Sequence, residues 1–177
     1  MALYYQLERD ELLSRIYHET DQPPSLRWFL DAYLNDQVTS LVFYREGETG
    51  TFPVNGLFWT PIGFGWINRS YPVGQFTKRE VGISFVRHVP PADCLTCGEL
   101  ITEYCFDLLR CDSLHATVCT RNRAMTAYCN RLGYARSGPI EAYTTWRGEL
   151  ADAYLFSMSK TRWRALHPQT AEMEAAA

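Results

Sequence analysis

The chain has 177 residues, enough for one domain that buries a real core without disulfides or metal to staple it. Its 46% hydrophobic and 21% charged content exclude a disordered chain. No uninterrupted apolar run approaches the roughly 20 residues that a membrane helix needs, and a formal net charge of -3 gives no overall drive toward nucleic acid.

The first ten residues carry no basic segment followed by an apolar one, so no signal peptide is read and the expected location is the cytoplasm. Leu12, Leu13, Ile16 and Tyr17 predict a first short helix. Pro23-Pro24-Ser25 opens a second, with Leu26, Phe29, Leu30 and Tyr33 on one face. Val38 to Arg45 reads as a strand leading into a turn at Glu46 to Gly50, and Thr51 to Trp59 returns from it. The alternation is poor and the aromatics many, as in a largely buried sheet. Ile62 to Asn68 and Arg79 to His88 read as two more strands, joined by a polar loop carrying Pro72 and Gly74.

From Cys94 the period becomes helical. Ile101, Tyr104, Cys105 and Leu108 form one stripe, Leu114 to Cys119 a compact strand, and Met125, Tyr128, Cys129 and Leu132 a second stripe. Gly133 ends that stripe as a C-terminal cap. Tyr134 to Ile140, Ala142 to Trp146 and Ala153 to Ser159 read as closing strands. A helix between strands implies a parallel crossover, and the neighbouring hairpins imply antiparallel pairs. Residues 1–168 are expected to form a single domain, with 169–177 a flexible tail.

The six cysteines, at 94, 97, 105, 111, 119 and 129, all fall within one third of the chain. A disulfide-framed secreted protein spreads its cysteines through a short, loop-rich sequence, so these read as reduced intracellular thiols. Cys94-Leu-Thr-Cys97 has the spacing of a zinc or redox pair. No second pair follows and a structural zinc wants four ligands, so no metal is expected and the thiols read as small core residues.

Three pieces follow in order: Tyr104-Cys-Phe-Asp-Leu-Leu, then Leu114-His-Ala-Thr-Val, then Asn122 with Leu132-Gly-Tyr134. This order resembles the acyl-CoA-binding half of the Gcn5-related N-acetyltransferase superfamily, nearest its ribosomal-protein and polyamine branch. Gly148-Glu-Leu-Ala-Asp152 and the residues after it resemble that branch's terminal strand, and Arg79-Glu-Val-Gly-Ile-Ser-Phe85 resembles its central fourth strand. The resemblance spans residues 38 to 163. It implies an α/β (α+β) domain whose mixed, mostly antiparallel sheet has splayed central strands and flanking helices. It also implies acetyl transfer from acetyl-CoA, as cosubstrate, to an amine by direct attack.

The same resemblance implies where the parts sit. The pantetheine arm would lie between the splayed strands, pairing with backbone like an added strand near Phe85 and Val86. The pyrophosphate would sit on amides at the next helix's N-terminus. There the family carries Gln/Arg-x-x-Gly-x-Gly/Ala, whereas this chain reads Val89-Pro-Pro-Ala92-Asp-Cys94. Ala92 and Cys94 are small but not glycine, Pro90 and Pro91 donate no N–H, and Asp93 is an anion. One reading is a modified loop using the amides of Cys94, Leu95, Thr96 and Cys97, with Arg87 as counter-charge. The other is a plain helix start with Asp93 as N-cap. Asn122 matches the family's cofactor-contacting asparagine and is equally a natural N-cap.

Direct attack needs a base for the amine proton and an acid for the departing thiolate. Glu80 stands where several family members carry a glutamate base, and it also reads as a solvated strand-end carboxylate. His88 titrates near neutral pH and is a second candidate base or a surface histidine. The position of the family's acidic tyrosine holds Cys129, with Tyr128 one residue earlier and about 100° around the helix. Both also suit core packing. Trp28, Tyr33, Tyr143, Thr144 and Trp146 are the expected acceptor walls, sheltering an alkyl amine or its cation, or else core. The partner is then an amine acceptor, small molecule or protein, with no membrane and a monomeric or homodimeric chain. A second reading is a relative with altered or lost transfer that binds a protein partner or binds or modifies DNA or tRNA. It rests on the basic stretch Lys160-Thr-Arg-Trp-Arg-Ala-Leu-His167.

Overall fold

The computed structural model describes residues 38–47, 52–54, 57–68 and 71–168. The eight strands are β1 (Val38–Gly47), β2 (Phe52–Val54), β3 (Leu57–Asn68), β4 (Tyr71–Val73), β5 (Phe76–Phe85), β6 (Ser113–Cys119), β7 (Ala135–Trp146) and β8 (Glu149–Ser159). The helices are α1 (Pro91–Glu103), α2 (Arg123–Arg131) and α3 (Lys160–Leu166), with a π-helical turn over Tyr104–Leu108 prolonging α1. The strands lie in the order β1-β3-β5-β6-β8-β7, with β2 paired to β3 and β4 to β5. Every pairing is antiparallel except β5 with β6, which the α1 crossover joins in parallel. The mixed, mostly antiparallel sheet expected from sequence is the one observed.

Several boundaries differ from expectation, each for a local reason. Leu57 to Asn68 is one continuous strand, not the end of one and the start of another. Pro61 is absorbed where the β1–β3 register slips between Phe43 and Tyr44, so its missing N–H breaks no regular ladder. The polar loop holding Pro72 and Gly74 folds into the small β4–β5 hairpin. β5 ends at Phe85, and His88 sits in the following turn at φ 66. β7 runs unbroken from Ala135 to Trp146 with two register shifts, and a two-residue turn at Arg147-Gly148, both at positive φ, folds it onto β8. Leu108 is 71% exposed although it lies on the Ile101–Cys105 stripe, because the wider π-helical turn moves it off the buried face. The two helices expected before residue 38, and the tail after 168, lie outside the described residues.

The core lies on one face of the sheet, beneath α1, α2 and α3, around Ile67, Leu114, Phe106, Phe156, Met158 and Trp163. Side chains alternate along a strand, so single contacts assign whole strands. A Cβ on Gly65 would lie 2.8 Å from Ile101 Cδ1, which puts Gly65 and Ile67 toward α1 and Phe64, Trp66 and Asn68 on the other face. On β5, Val81, Ile83 and Phe85 belong to the core side. Glu80, Gly82 and Ser84 therefore share the face of Trp66.

The basic stretch of α3 is used internally. Trp163 is fully buried, Lys160 Nζ donates to the Phe106 carbonyl at 3.4 Å, Arg162 Nε donates to the Gly133 carbonyl at 2.7 Å, and Arg164 pairs with Asp107. Among the described residues no helix is long and apolar enough to cross a membrane.

α1 and α2 meet at Gly98, where a Cβ would come within 2.2 Å of Tyr128 Oη and 2.5 Å of Leu132 Cδ1. Gly98→Ala should therefore destabilise by about 1–3 kcal/mol, the usual cost of overpacking, despite alanine's better helix propensity. Urea unfolding of the variant should show it; an unchanged or raised midpoint would refute the close approach.

Candidate functional site

β5 and β6 pair at Lys78–Ser113, Arg79–Leu114 and Glu80–His115, and there the pairing stops. Beyond it β5 stays bonded to β3 and β6 to β8, but their facing edges diverge. The gap is a cleft of about 1240 Å³ that passes through the sheet. On the helix side it is lined by Cys94, Leu95, Gly98, Asn122, Met125 and Tyr128, on the far side by Trp66 and Glu80, and at its β7 side by Tyr143, Thr144 and Trp146. Strand edges from Val81 to Phe85 and from Ala116 to Cys119 form its walls.

Glu80 stands at the vertex. Its Oε2 accepts from Asn68 Nδ2 at 2.7 Å, and Asn68's own carbonyl accepts from Arg79 at 3.3 Å. His115, its partner across the parallel pair, has its pKa lowered, first by burial, while the neighbouring Glu80 charge acts the other way. His88 and Arg87 are exposed, beyond the cleft lining.

Tyr128 joins three elements. Its hydroxyl donates to the Cys94 carbonyl of α1 at 3.1 Å, and its ring meets Phe85 of β5 edge-on at 5.7 Å. Burial holds it firmly as the neutral phenol, raising its pKa. Cys129 is 5% exposed, and burial pushes its thiol up to about 12. Asn122 is the N-cap of α2, its Oδ1 accepting from the Met125 amide at 3.1 Å, and it lines the cleft as well.

At the start of α1, Pro91 occupies the first turn, where its missing N–H costs little. The Cys94 amide already donates to the Pro90 carbonyl at 3.1 Å, and the amides after it continue the helix. The amides left over by helix geometry are those of Ala92 and Asp93. The Asp93 carboxylate forms no cap; it pairs with Arg45 of β1 at 3.3 Å, drawing its charge away from the cleft. Cys94 and Leu95 face the cleft, whereas Thr96 and Cys97 face a second hollow against β1, and Val86 is buried with its amide bonded to the Ile62 carbonyl.

The structure thus brings Glu80, Phe85, Cys94, Leu95, Asn122, Tyr128, Cys129, Tyr143 and Trp146 to one cleft. Trp28 and Tyr33 lie outside the described residues. The sequence reading passed over Asn68, which orients Glu80, and Trp66, which lies directly opposite Gly82. Gly82, alone inside an apolar strand, was the legible sign of a close approach.

No family model matches the sequence, and no curated protein matches it by sequence. Solved structures match by shape. A spermidine N-acetyltransferase from Vibrio cholerae in complex with CoA and spermine superposes with a TM-score of 0.70 at 11% identity, covering 91% of this chain and 89% of that one. A chimera of that organism's SpeG with hSSAT gives 0.67 at 13% identity, over 91% of each. Mycobacterium smegmatis RimJ with CoA-disulfide gives 0.52 at 17% identity, covering 57% of this chain and 48% of that one. The chain has the fold of the Gcn5-related N-acetyltransferases.

The buried thiols set a pH limit on this site. Cys129 titrates near 12 folded and about 8.5 unfolded, so the folded state keeps its proton longer. That stabilisation is complete below the unfolded value and is lost as pH rises from about 9 toward 12. Through Cys129 alone, stability should hold level from pH 6 to 8 and fall by roughly 1–2 kcal/mol by pH 10, with Cys97, pushed to about 11, adding to the loss. Urea melts across that range test this; a flat profile to pH 10, or an equal slope in Cys129→Ala, would contradict it.

Proposed function

We propose that this chain is an acyl-CoA-dependent N-acyltransferase that moves an acetyl group from acetyl-CoA to an amine. The observation that carries the reading is the through-sheet cleft, which opens where β5 and β6 part and has a carboxylate at its vertex. When bound, acetyl-CoA supplies an activated thioester. The residues fit it: unpaired strand edges suit the amides of a pantetheine arm, and the Ala92 and Asp93 amides at the α1 N-terminus suit an anion. The arm enters from the side of Cys94, Leu95, Asn122 and Tyr128, and the amine from the side of Trp66, Tyr143 and Trp146.

Glu80 is the base. Asn68 occupies Oε2, so Oε1 is the oxygen assigned to the amine proton, directly or through a water. The amine nitrogen then forms the new bond to the acyl carbon, and the carbon–sulfur bond breaks. Tyr128 is assigned to donate toward the departing sulfur, which requires its one O–H proton to turn from the Cys94 carbonyl. Cys129, only 5% exposed, is assigned to packing beneath it. His88 and Arg87, on the exposed turn, are given no chemical step. Nucleic acid is disfavoured as a target because Lys160, Arg162 and Arg164 are already bonded within the fold.

Acetyl-CoA at 100 times its dissociation constant should stabilise the protein by about 2.7 kcal/mol. Absence of both a melting shift and calorimetric heat at millimolar acetyl-CoA would end this reading. Glu80→Gln should lower kcat by about 10²–10⁴ while acetyl-CoA affinity stays within about twofold. Stopped-flow single turnovers beside calorimetry separate the two effects, and an equal loss of both would remove Glu80 as the base.

A further inference from the structure

Gly82 has no Cβ, and one added there would lie 2.0 Å from Trp66 Cζ2 and 2.1 Å from Cε2. The indole therefore rests on the β5 backbone itself, directly across the strand pair. Phe64, buried to 2%, stacks on it at 5.8 Å and 26°. Trp66 itself is half-buried and lines the cleft. Two residues along β5, on the same face and roughly 7 Å away by strand geometry, stands Glu80. A flat aromatic wall beside a single carboxylate is a receptor for an ammonium group on an apolar stem. Its charge balance is specific. Among the described residues lining the cleft, Glu80 is the one carboxylate, and Arg131 and Arg147 are cations. A polyamine's extra ammonium groups find no further carboxylate among the described residues there and meet Arg147 at the β7–β8 turn.

Resting on the acyltransferase reading, we infer that Trp66 determines acceptor specificity and that the acceptor is a primary monoamine on an aromatic or aliphatic stem, not a polyamine. The ammonium pairs with Glu80, and the stem lies along the indole, facing Tyr143 and Trp146. The register places Trp66 opposite a strand glycine, so that the indole can lie against the neighbouring backbone.

Calorimetry measures amine binding without turnover, using the full chain with saturating CoA, which has no acyl group to transfer. Phenethylamine and n-hexylamine should bind at least tenfold more tightly than spermidine. Trp66→Ala should weaken phenethylamine at least tenfold, and Trp66→Phe should recover most of it. Gly82→Ala, which leaves Trp66 in place but displaces its ring, should copy the loss. In Trp66→Ala and Trp66→Phe the acetyl-CoA melting shift should match the parent's, which also shows that they fold, and a cooperative urea transition shows that Gly82→Ala folds. Tighter spermidine binding, no binding of either monoamine, or phenethylamine affinity unchanged from the parent's in Trp66→Ala and Gly82→Ala would overturn the inference while the acetyl-CoA shift persists. Loss of that shift in the parent would instead strike the acyltransferase reading.

Discussion

The parting of β5 and β6 after Glu80 is the constraint on which the rest of the structure depends. Three parallel pairs fix the strands at one end, and the other ends are held apart by different neighbours. β5 is bonded to β3 on its outer side and β6 to β8 on its own. Each strand is thus half satisfied, and its remaining N–H and C=O groups face the cleft, where water or an extended chain must meet them. Tyr128 ties the covering helices to the β5 side of the cleft. It contacts Phe85 on one strand and the Cys94 carbonyl on α1 while riding on α2.

Small residues make that geometry possible. Gly65 admits Ile101 against the sheet, Gly98 admits Tyr128 and Leu132 between helices, and Gly82 admits the Trp66 indole. Cys97, Cys105, Cys111 and Cys129 fill the helix-side core as compact apolar groups. Cys94, Cys97 and Cys129 lie on the helices that cover the cleft and Cys119 ends β6, and all six thiols are free of disulfides. A core built this way brings α1 and α2 close enough for backbone groups at Cys94 to line the gap.

Periodicity carried most of the fold. The stripe Met125, Tyr128, Cys129 and Leu132 and its Gly133 stop are a helix as read, with Gly133 at φ 81, because a lone amphipathic helix is a local property. β1, β6 and β8 were legible for the same reason, although β8 begins earlier, at Glu149. The misses were set by partners distant in sequence. The strands expected over Thr51–Trp59 and Ile62–Asn68 leave Pro61 between them, and only the slip in the β1 register shows how β3 passes through it. The π-helical turn that exposes Leu108 has no period of its own. Asn68 lies 12 residues from Glu80, and nothing local announces their hydrogen bond. Of the candidate site, the residue types were visible but the sheet face was not, since face follows from register.

The start of α1 shows how a departure from a motif can be read physically. The glycines of a phosphate loop let the main chain come close; Pro90 and Pro91 instead fix it, and Pro91 enters the helix at the position where proline is tolerated best. Two donors remain, at Ala92 and Asp93, and the helix dipole adds to them. An anionic Asp93 beside those donors would compete with a phosphate. Its pairing with Arg45, exposed as both groups are, turns the carboxylate toward β1 and contributes little to stability. Its consequence is electrostatic: it leaves the cleft side of the helix start without a facing negative charge. In the proposed reading, binding then leans more on the strand edges and less on the phosphate loop than the usual glycine pattern implies. In that same reading the cleft between β5 and β6, and not the loop, carries most of the recognition.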